Sequence, residues 1–432
     1  MKKYRLNRFV HSQRLNDKAY LITNFENSAQ ILLSNEMFHS IDETAANFTE
    51  LNLDSDLFTR LITGGFILEE HIDELKRVLE KRTPERCDRN QYHIIVNPTL
   101  DCNLNCWYCY ENKISGSQMT ETVMNAIVKN YSHHYSLHPY KVLKLSFFGG
   151  EPFMKPHVVR FLVTKASDFC KKNGVELFLD FTTNGTLFST SLLNFLSSYT
   201  CQFQITLDGN ETQHNKIKYF ANRNGNPFET TVKNIHRIQE MIPNSHMYVR
   251  INFDENTLKD FENIVDKISD LDRKRTTIIM KKIWQVNEKG IDKSLITNAI
   301  HSLLVNSFII DYYGQGGWCF ADMDNQVTIN YDGGIFKCTT ISHFDESESL
   351  GDLNLETGEI IWDNEKTAYL HDERISDNCL ACKMLPKCGG PCRRQMSRGL
   401  KSHCFLNDQG ITMDDFALIH MQINYIKSKV YG

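Results

Sequence analysis

Pro98-Thr99-Leu100-Asp101-Cys102-Asn103-Leu104-Asn105-Cys106-Trp107-Tyr108-Cys109 follows directly on an apolar, strand-like run, His93–Asn97. Its cysteines are spaced C-x3-C-x2-C. Iron–sulfur clusters are normally held by a full set of cysteine thiolates, so a loop that offers three to a 4Fe–4S cluster leaves one iron open. An open iron can bind a small molecule, which turns an electron carrier into a reaction centre. The plainer reading of three close cysteines is a zinc knuckle or a set of buried thiols. Two further motifs, each placed after a later strand, weigh against it.

The chain has 432 residues, 41% hydrophobic and 23% charged, enough for a large core and two or three domains. A net charge of −5 gives no reason to expect nucleic acid or an acidic membrane surface as a partner. The N-terminal residues lack the apolar core of a signal peptide. No apolar run reaches the ~18–20 residues of a membrane span. A cytoplasmic location is therefore expected, with no nucleic acid and no membrane among the partners. Thirteen cysteines in a reducing compartment point to metal rather than disulfides. They are clustered, three at 102–109 and seven between 319 and 404.

Residues 1–85 read as a separate module. Strand-like runs (Tyr4–Val10, Ala19–Leu33) precede helix-like stretches (Glu36–Leu51, Ser55–Leu61), a short apolar wing at Phe66, and a charged helix, Glu69–Lys81. This order resembles the peptide-binding winged-helix module of many peptide-modifying enzymes, which implies capture of a peptide by strand addition. A stabilising extension is the alternative. From 92 to 310, strand candidates (His93–Asn97, Val142–Phe148, Val175–Phe181, Phe203–Leu207, Met247–Phe253, Thr277–Ile283) alternate with helical patterns near 119–135, 157–173, 190–198, 229–241 and 257–270. Such alternation predicts an α/β fold with a parallel sheet. Six units are too few for a closed eight-fold barrel. In parallel barrels functional groups lie at the C-terminal ends of strands, and the cysteine loop follows the first strand.

After the second strand stands Phe148-Gly149-Gly150-Glu151-Pro152. After the third come Thr182-Thr183-Asn184-Gly185-Thr186. The fourth ends in Thr206-Leu207-Asp208-Gly209, and the fifth carries Val249-Arg250-Ile251-Asn252-Phe253. Together with Tyr108 before the last cysteine of the loop, these motifs resemble the radical S-adenosylmethionine enzymes. The resemblance implies a partial (β/α)6 TIM-like barrel. It assigns Cys102, Cys106 and Cys109 to a 4Fe–4S cluster whose open iron chelates S-adenosylmethionine, which on reduction yields a 5′-deoxyadenosyl radical. It places Gly149, Gly150 and Glu151 at the methionyl amino group. Tyr108, Asn184, Thr206, Asp208 and Arg250 become cofactor-binding candidates; a guanidinium forks well onto a carboxylate, but carboxylate and ribose contacts are not ranked among them.

Residues 311–432 carry Cys319-x13-Gly333-x4-Cys338, then Cys379-x2-Cys382-x5-Cys388-x3-Cys392 and, after eleven more, Cys404. This is similar to the seven-cysteine SPASM pattern; a zinc ribbon is the alternative. The resemblance implies two auxiliary 4Fe–4S clusters, one held by Cys379, Cys382, Cys388 and Cys404, the other by Cys319, Cys338 and Cys392. The second is one thiolate short. Of the remaining cysteines, Cys170 and Cys201 read as core thiols, and Cys87 is the third.

Enzymes of this kind act mainly on peptides and proteins. The expected activity is abstraction of a side-chain hydrogen, installing a C–C or thioether crosslink in a ribosomally made precursor peptide, with flavodoxin or ferredoxin as electron donor. An anaerobic sulfatase maturase making formylglycine is the second enzyme reading. Against it, residues 311–318 lack the additional cysteine of that pattern, and Thr339 stands where an aspartate base is expected. A non-catalytic electron carrier or redox sensor would have no use for the Gly-Gly-Glu-Pro turn. Asp254, Glu255, Tyr312 and Tyr313 are equally credible as bases or as packing residues.

Overall fold

The computed structural model describes residues 3–43, 55–283, 285, 291–311, 319–372, 374–399, 404, 406 and 410–431. Contacts divide the chain into two compact units. One comprises residues 1–86, 313–319 and 372–425; the other comprises 87–312, 320–371 and 426–432.

In the first unit, β1 (Tyr4–Leu6) pairs with β5 (Ile67–Glu69), and β2 (Val10–Arg14), β3 (Ala19–Asn24) and β4 (Gln30–Ser34) form an antiparallel sheet. Each expected long strand is broken by a turn: at Asn7–Phe9, where Asn7 Oδ1 accepts from Phe9 N, and before Gln30, where Ser28 takes a left-handed φ of 68°. Helices Asn35–Glu43, Ser55–Thr63 and Glu74–Arg86 complete the module; the rest of the expected helix to Leu51 lies outside the described residues. Phe58, Leu61 and Phe66 join Val10, Ile22 and Leu33 in one buried cluster.

The second unit is built on β6 (Gln91–Val96), β8 (Val142–Phe147), β9 (Glu176–Thr183), β10 (Cys201–Thr206), β12 (Ser245–Phe253) and β13 (Thr276–Lys282), which pair in that order, all parallel. These are the six expected strands. Two short ones extend the parallel run: β14 (Ile309–Asp311) beside β13, and β15 (Gln326–Ile329) beside β6. β16 (Gly334–Phe336), β17 (Gly351–Leu353) and β18 (Ile360–Trp362) continue as an antiparallel meander. The pairing of β15 with β6 is why residues 320–371 belong to the barrel.

Alternation along the strands divides two faces. Leu145, Leu179, Phe181, Phe203, Ile205, Val249, Ile251, Ile278 and Met280 are wholly or almost wholly buried on one face. Residues between them, including Asp180, Gln204, Thr206, Arg250 and Lys281, are half-buried on the other. Helices Glu121–Leu137, Pro156–Asn173, Thr190–Leu196 and Pro227–Met241 lie between successive strands, three of them capped by Thr120, Ser189 and Asn226 accepting from backbone N–H groups. The pattern near 257–270 forms two short helices, Glu255–Leu258 and Glu262–Lys267, because Asp260 between them takes a left-handed φ of 56°.

Candidate active site

The cysteine loop leaves the C-terminal end of β6 and is braced on itself. Asp101 Oδ1 accepts from Cys102 N at 2.8 Å and Oδ2 from Gly116 N at 2.9 Å; Ser117 Oγ accepts from Leu100 N at 2.8 Å. The loop also contains a strand that the sequence does not announce. β7 (Leu104–Cys106) pairs antiparallel with β11 (Lys218–Phe220), placing Lys218 opposite Cys106.

The Gly-Gly-Glu turn packs directly on this loop. Gly150 N donates to Thr99 O at 3.1 Å and Glu151 N to Asp101 O at 2.8 Å. Gly149 sits at a φ of 103°, and a Cβ there would stand 2.4 Å from Thr99 O; one on Gly150 would stand 2.2 Å from Asp101 O. Only glycine allows the two backbones to approach so closely. The Glu151 side chain, 0% exposed, turns inward. It accepts from Phe153 N at 3.0 Å, from Thr183 Oγ1 at 2.8 and 2.9 Å, and from Asn184 N at 2.8 Å. Burial pushes its carboxyl up to about 7, opposed by those hydrogen bonds. Its carboxylate therefore ties β9 to the turn.

Asn184 reaches the loop from the end of β9: its Nδ2 donates to Asn103 Oδ1 at 2.9 Å and lies 3.7 Å from Cys102 Sγ. Thr206 and Arg250 are in register on β10 and β12, both half-buried, and Arg250 Nε donates to Asn252 Oδ1 at 2.9 Å.

Asp208 and Tyr108 face each other. The Tyr108 hydroxyl donates to Asp208 Oδ2, which also takes Lys218 Nζ at 2.9 Å, while Oδ1 accepts from Asn252 N at 2.9 Å and Asn252 Nδ2 at 3.2 Å. Burial alone would raise the Asp208 carboxyl, but the Lys218 ammonium and its other partners hold it below the usual range. Burial and the Asp208 charge raise Tyr108 well above the ordinary phenol value. Asp208 and Tyr108 thus bind the cysteine loop to β10 and β12, and any ligand contact from either would have to share these bonds. Thr183 and Asn252, inside the strand-end motifs but not singled out as site residues, carry this framework together with Lys218, which no motif marks. Asp254 caps the helix Glu255–Leu258, its Oδ1 accepting from Thr257 N at 2.7 Å, while Tyr312 and Tyr313 lie outside the described residues.

None of the thirteen cysteines, all of them among the described residues, is in a disulfide. Burial pushes the Cys102 thiol up to about 12 and Cys106 to about 11, and raises Cys109. In the first unit, burial raises Cys388, and Cys382, Cys379 and Cys404 push the same way, so these three thiols lie within electrostatic range of Cys388. Cys392 and Cys319 are exposed and Cys338 is half-buried. Cys170 and Cys201 are buried, and Cys87 Sγ donates to Asp324 Oδ2 at 3.1 Å. Among the described residues no three Cys, His, Asp or Glu side chains converge on a single-ion position. Cys102, Cys106 and Cys109 stand in one braced loop, and three further thiols act on Cys388, so the thiolate donor sets are of the kind that iron–sulfur clusters take.

A partial parallel barrel with a three-thiol loop and a Gly-Gly-Glu turn at its strand ends defines a cluster-dependent enzyme. Residues 96–268 match the family model of the radical SAM superfamily, and residues 307–383 that of the SPASM iron–sulfur cluster-binding domain. The chain belongs to the radical S-adenosylmethionine enzymes and carries a SPASM domain; its cofactors are S-adenosylmethionine, a 4Fe–4S cluster and auxiliary clusters. It is 22% identical to the radical SAM cyclopropyl synthase TigE of Paramaledivibacter caminithermalis, over 90% of this chain and 86% of that protein. The solved structure of native anSMEcpe with bound AdoMet and Cp18Cys peptide superposes with a TM-score of 0.56 at 18% identity, over 78% of this chain and all of that one, which establishes the fold. SuiB of Streptococcus suis bound to precursor peptide SuiA gives a TM-score of 0.49 at 13% identity, over 93% of this chain and 98% of that one. Among the described residues no helix is long and apolar enough to cross a membrane.

Proposed function

We propose that this enzyme is a peptide maturase that removes a hydrogen from a side chain of a ribosomally made peptide and installs a C–C or thioether crosslink. The observation that supports the reading is the packing of the Gly149–Glu151 turn against the cysteine loop, which brings three thiols and a glycine backbone to one end of the barrel. Cys102, Cys106 and Cys109 would hold the cluster that, with S-adenosylmethionine bound, supplies a 5′-deoxyadenosyl radical.

The chain's own residues then have defined tasks. The Gly149–Glu151 turn receives the methionyl amino group through its backbone, since the Glu151 carboxylate is engaged within the chain. Arg250 and Thr206, half-buried and in register on β12 and β10, and Asn184 beside Cys102 are the side chains that would take the carboxylate and ribose. Cys379, Cys382, Cys388 and Cys404 hold one auxiliary cluster; Cys319, Cys338 and Cys392 hold the other, for three in all. Residues 1–85 serve as the peptide-recognition module, and flavodoxin or ferredoxin as electron donor.

Support for a peptide substrate comes from anSMEcpe, solved with a peptide bound, and support for bond formation from TigE, named a cyclopropyl synthase. The likeness to anSMEcpe keeps formylglycine formation as the second reading, against which stand Thr339 and the absence of cysteine from residues 311–318. Anaerobic incubation of the reconstituted chain with reductant, S-adenosylmethionine and a peptide encoded beside its gene tests the proposal. The expected result is 5′-deoxyadenosine together with loss of two hydrogens from the peptide mass. No 5′-deoxyadenosine above background would refute it, and conversion of a Cys or Ser in a sulfatase peptide to an aldehyde would select the second reading.

A further inference from the structure

The four-cysteine segment 379–392 does not pack alone. It shares a compact unit with residues 1–86, and the module's side chains reach the backbone beside the cysteines. Arg8 Nη2 donates to Leu380 O at 2.9 Å, between Cys379 and Cys382. Arg82 Nη2 donates to Gly389 O at 2.8 Å, immediately after Cys388, and Lys387 Nζ donates to Ser28 Oγ. Further along, His11 Nε2 meets Asp414 Oδ1 at 2.6 Å, and Gln30 Nε2 donates to Ala417 O at 2.8 Å.

The two arginine bonds fall at the ends of the segment's short helices. Asp377–Leu380 and Leu385–Cys388 are helices of four residues each, and a helix end leaves its last carbonyls without partners inside the helix. Arg8 supplies a donor at the end of one, and Arg82 at the glycine turn that closes the other, where Gly389 and Gly390 take φ values of 69° and 96°. Charged donors make the stronger hydrogen bonds; that of Arg82 is partly buried and that of Arg8 exposed, so Arg82 carries more of the effect.

We propose that Arg82 and Arg8 are positioning residues for the auxiliary cluster of Cys379, Cys382, Cys388 and Cys404, so that the N-terminal module and this cluster form one cooperative unit. The inference rests on the SPASM reading of these cysteines. Where a site is not preformed in the unfolded chain, the free energy of metal binding is folding free energy. Coupling is reciprocal: loss of the arginines weakens the cluster, and loss of the cluster loosens residues 1–86.

The test uses the full chain, reconstituted anaerobically with iron and sulfide. The wild type is expected to hold about 12 iron atoms, three 4Fe–4S clusters. Arg8→Ala/Arg82→Ala is expected to hold about 8, losing one component of the reduced EPR spectrum while the spectral response to added S-adenosylmethionine persists. Arg82→Lys, which keeps a charged donor, should restore most of the lost iron. From the other side, Cys379→Ala/Cys382→Ala should speed tryptic cleavage within residues 1–86 by about tenfold, within the usual range of coupling, which reads the coupling even if the arginine variant fails to fold. Full iron and an unchanged spectrum in the double arginine variant, or unchanged proteolysis in the cysteine variant, would overturn the inference. A wild type holding about 4 iron atoms would overturn the auxiliary-cluster reading first, and the inference with it.

Discussion

Lys218 Nζ lies 2.9 Å from Asp208 Oδ2, and the two side chains are 2% and 0% exposed. This pair joins the strand opposite Cys106 to the end of β10 and, through the Tyr108 hydroxyl, to the cysteine loop. Removing one partner leaves an uncompensated buried charge, which costs about 3–5 kcal/mol. Asp208→Asn is expected to lose that much in urea unfolding of the cluster-free chain, and Asp208→Asn/Lys218→Met to recover most of it. A single variant within ~0.5 kcal/mol of wild type, the ordinary surface effect, would show that the pair does not hold the loop.

Gly150 presses against Asp101 O, 2.2 Å from where a Cβ would stand. Neither backbone can yield without moving the cysteine loop. Gly150→Ala is expected to displace the loop from the nucleotide site and to lower 5′-deoxyadenosine formation by about 100-fold, the scale of a ~1 Å misplacement. Ser115→Ala, at an exposed turn residue of the same loop, serves as the control. Equal rates in both variants would refute the close-approach argument.

Glu151 accepts from Phe153 N, Thr183 Oγ1 and Asn184 N. Glu151→Gln turns an amide donor toward at least one of these donors, at a cost of about 1–3 kcal/mol. The carboxyl is raised from 4.5 to about 7 by burial. Between those values the unfolded chain has lost a proton that the folded chain keeps, so this group's contribution to stability falls as pH rises through the window. Unfolding midpoints at pH 5 and 7.5 should show that slope in wild type and a flatter one in Glu151→Gln.

In the N-terminal module Glu74 takes Arg5 Nη1 at 2.7 Å, Arg5 Nη2 at 2.5 Å and Arg8 N at 2.8 Å. Burial raises its carboxyl, but Arg5 and the Arg8 amide outweigh this and lower it from 4.5 to about 2. Over that window the unfolded chain binds a proton that the folded chain does not. The stabilisation is therefore complete above pH 4.5 and is lost as pH falls toward 2. Hydrogen exchange within residues 1–86 should accelerate across this range in wild type, and the step should be absent in Glu74→Gln.

Much of the barrel was legible because its strands alternate between an apolar face and a polar one, and because glycine and proline mark the turns after them. β14 and β15 were not, since strands of three or four residues are too short to display a period. The pairing of β7 with β11 was hidden for the same reason, and with it the role of Lys218, a lysine between Ile217 and Tyr219 in no motif.

Cysteine spacing and the Gly-Gly-Glu turn fixed the class of chemistry from the chain alone, because cluster ligation and close backbone approach demand particular residue types at particular intervals. Tertiary structure decided what each carboxylate does and which segments stand together. Glu151 and Asp208 read as ligand-facing in one dimension, yet the donors that turn them inward come from Thr183, Asn252 and Lys218 on other segments. Likewise Arg8 meets Leu380 across 372 residues. A side chain's task follows from the partners that reach it, and folding brings those from positions that no spacing along the chain records.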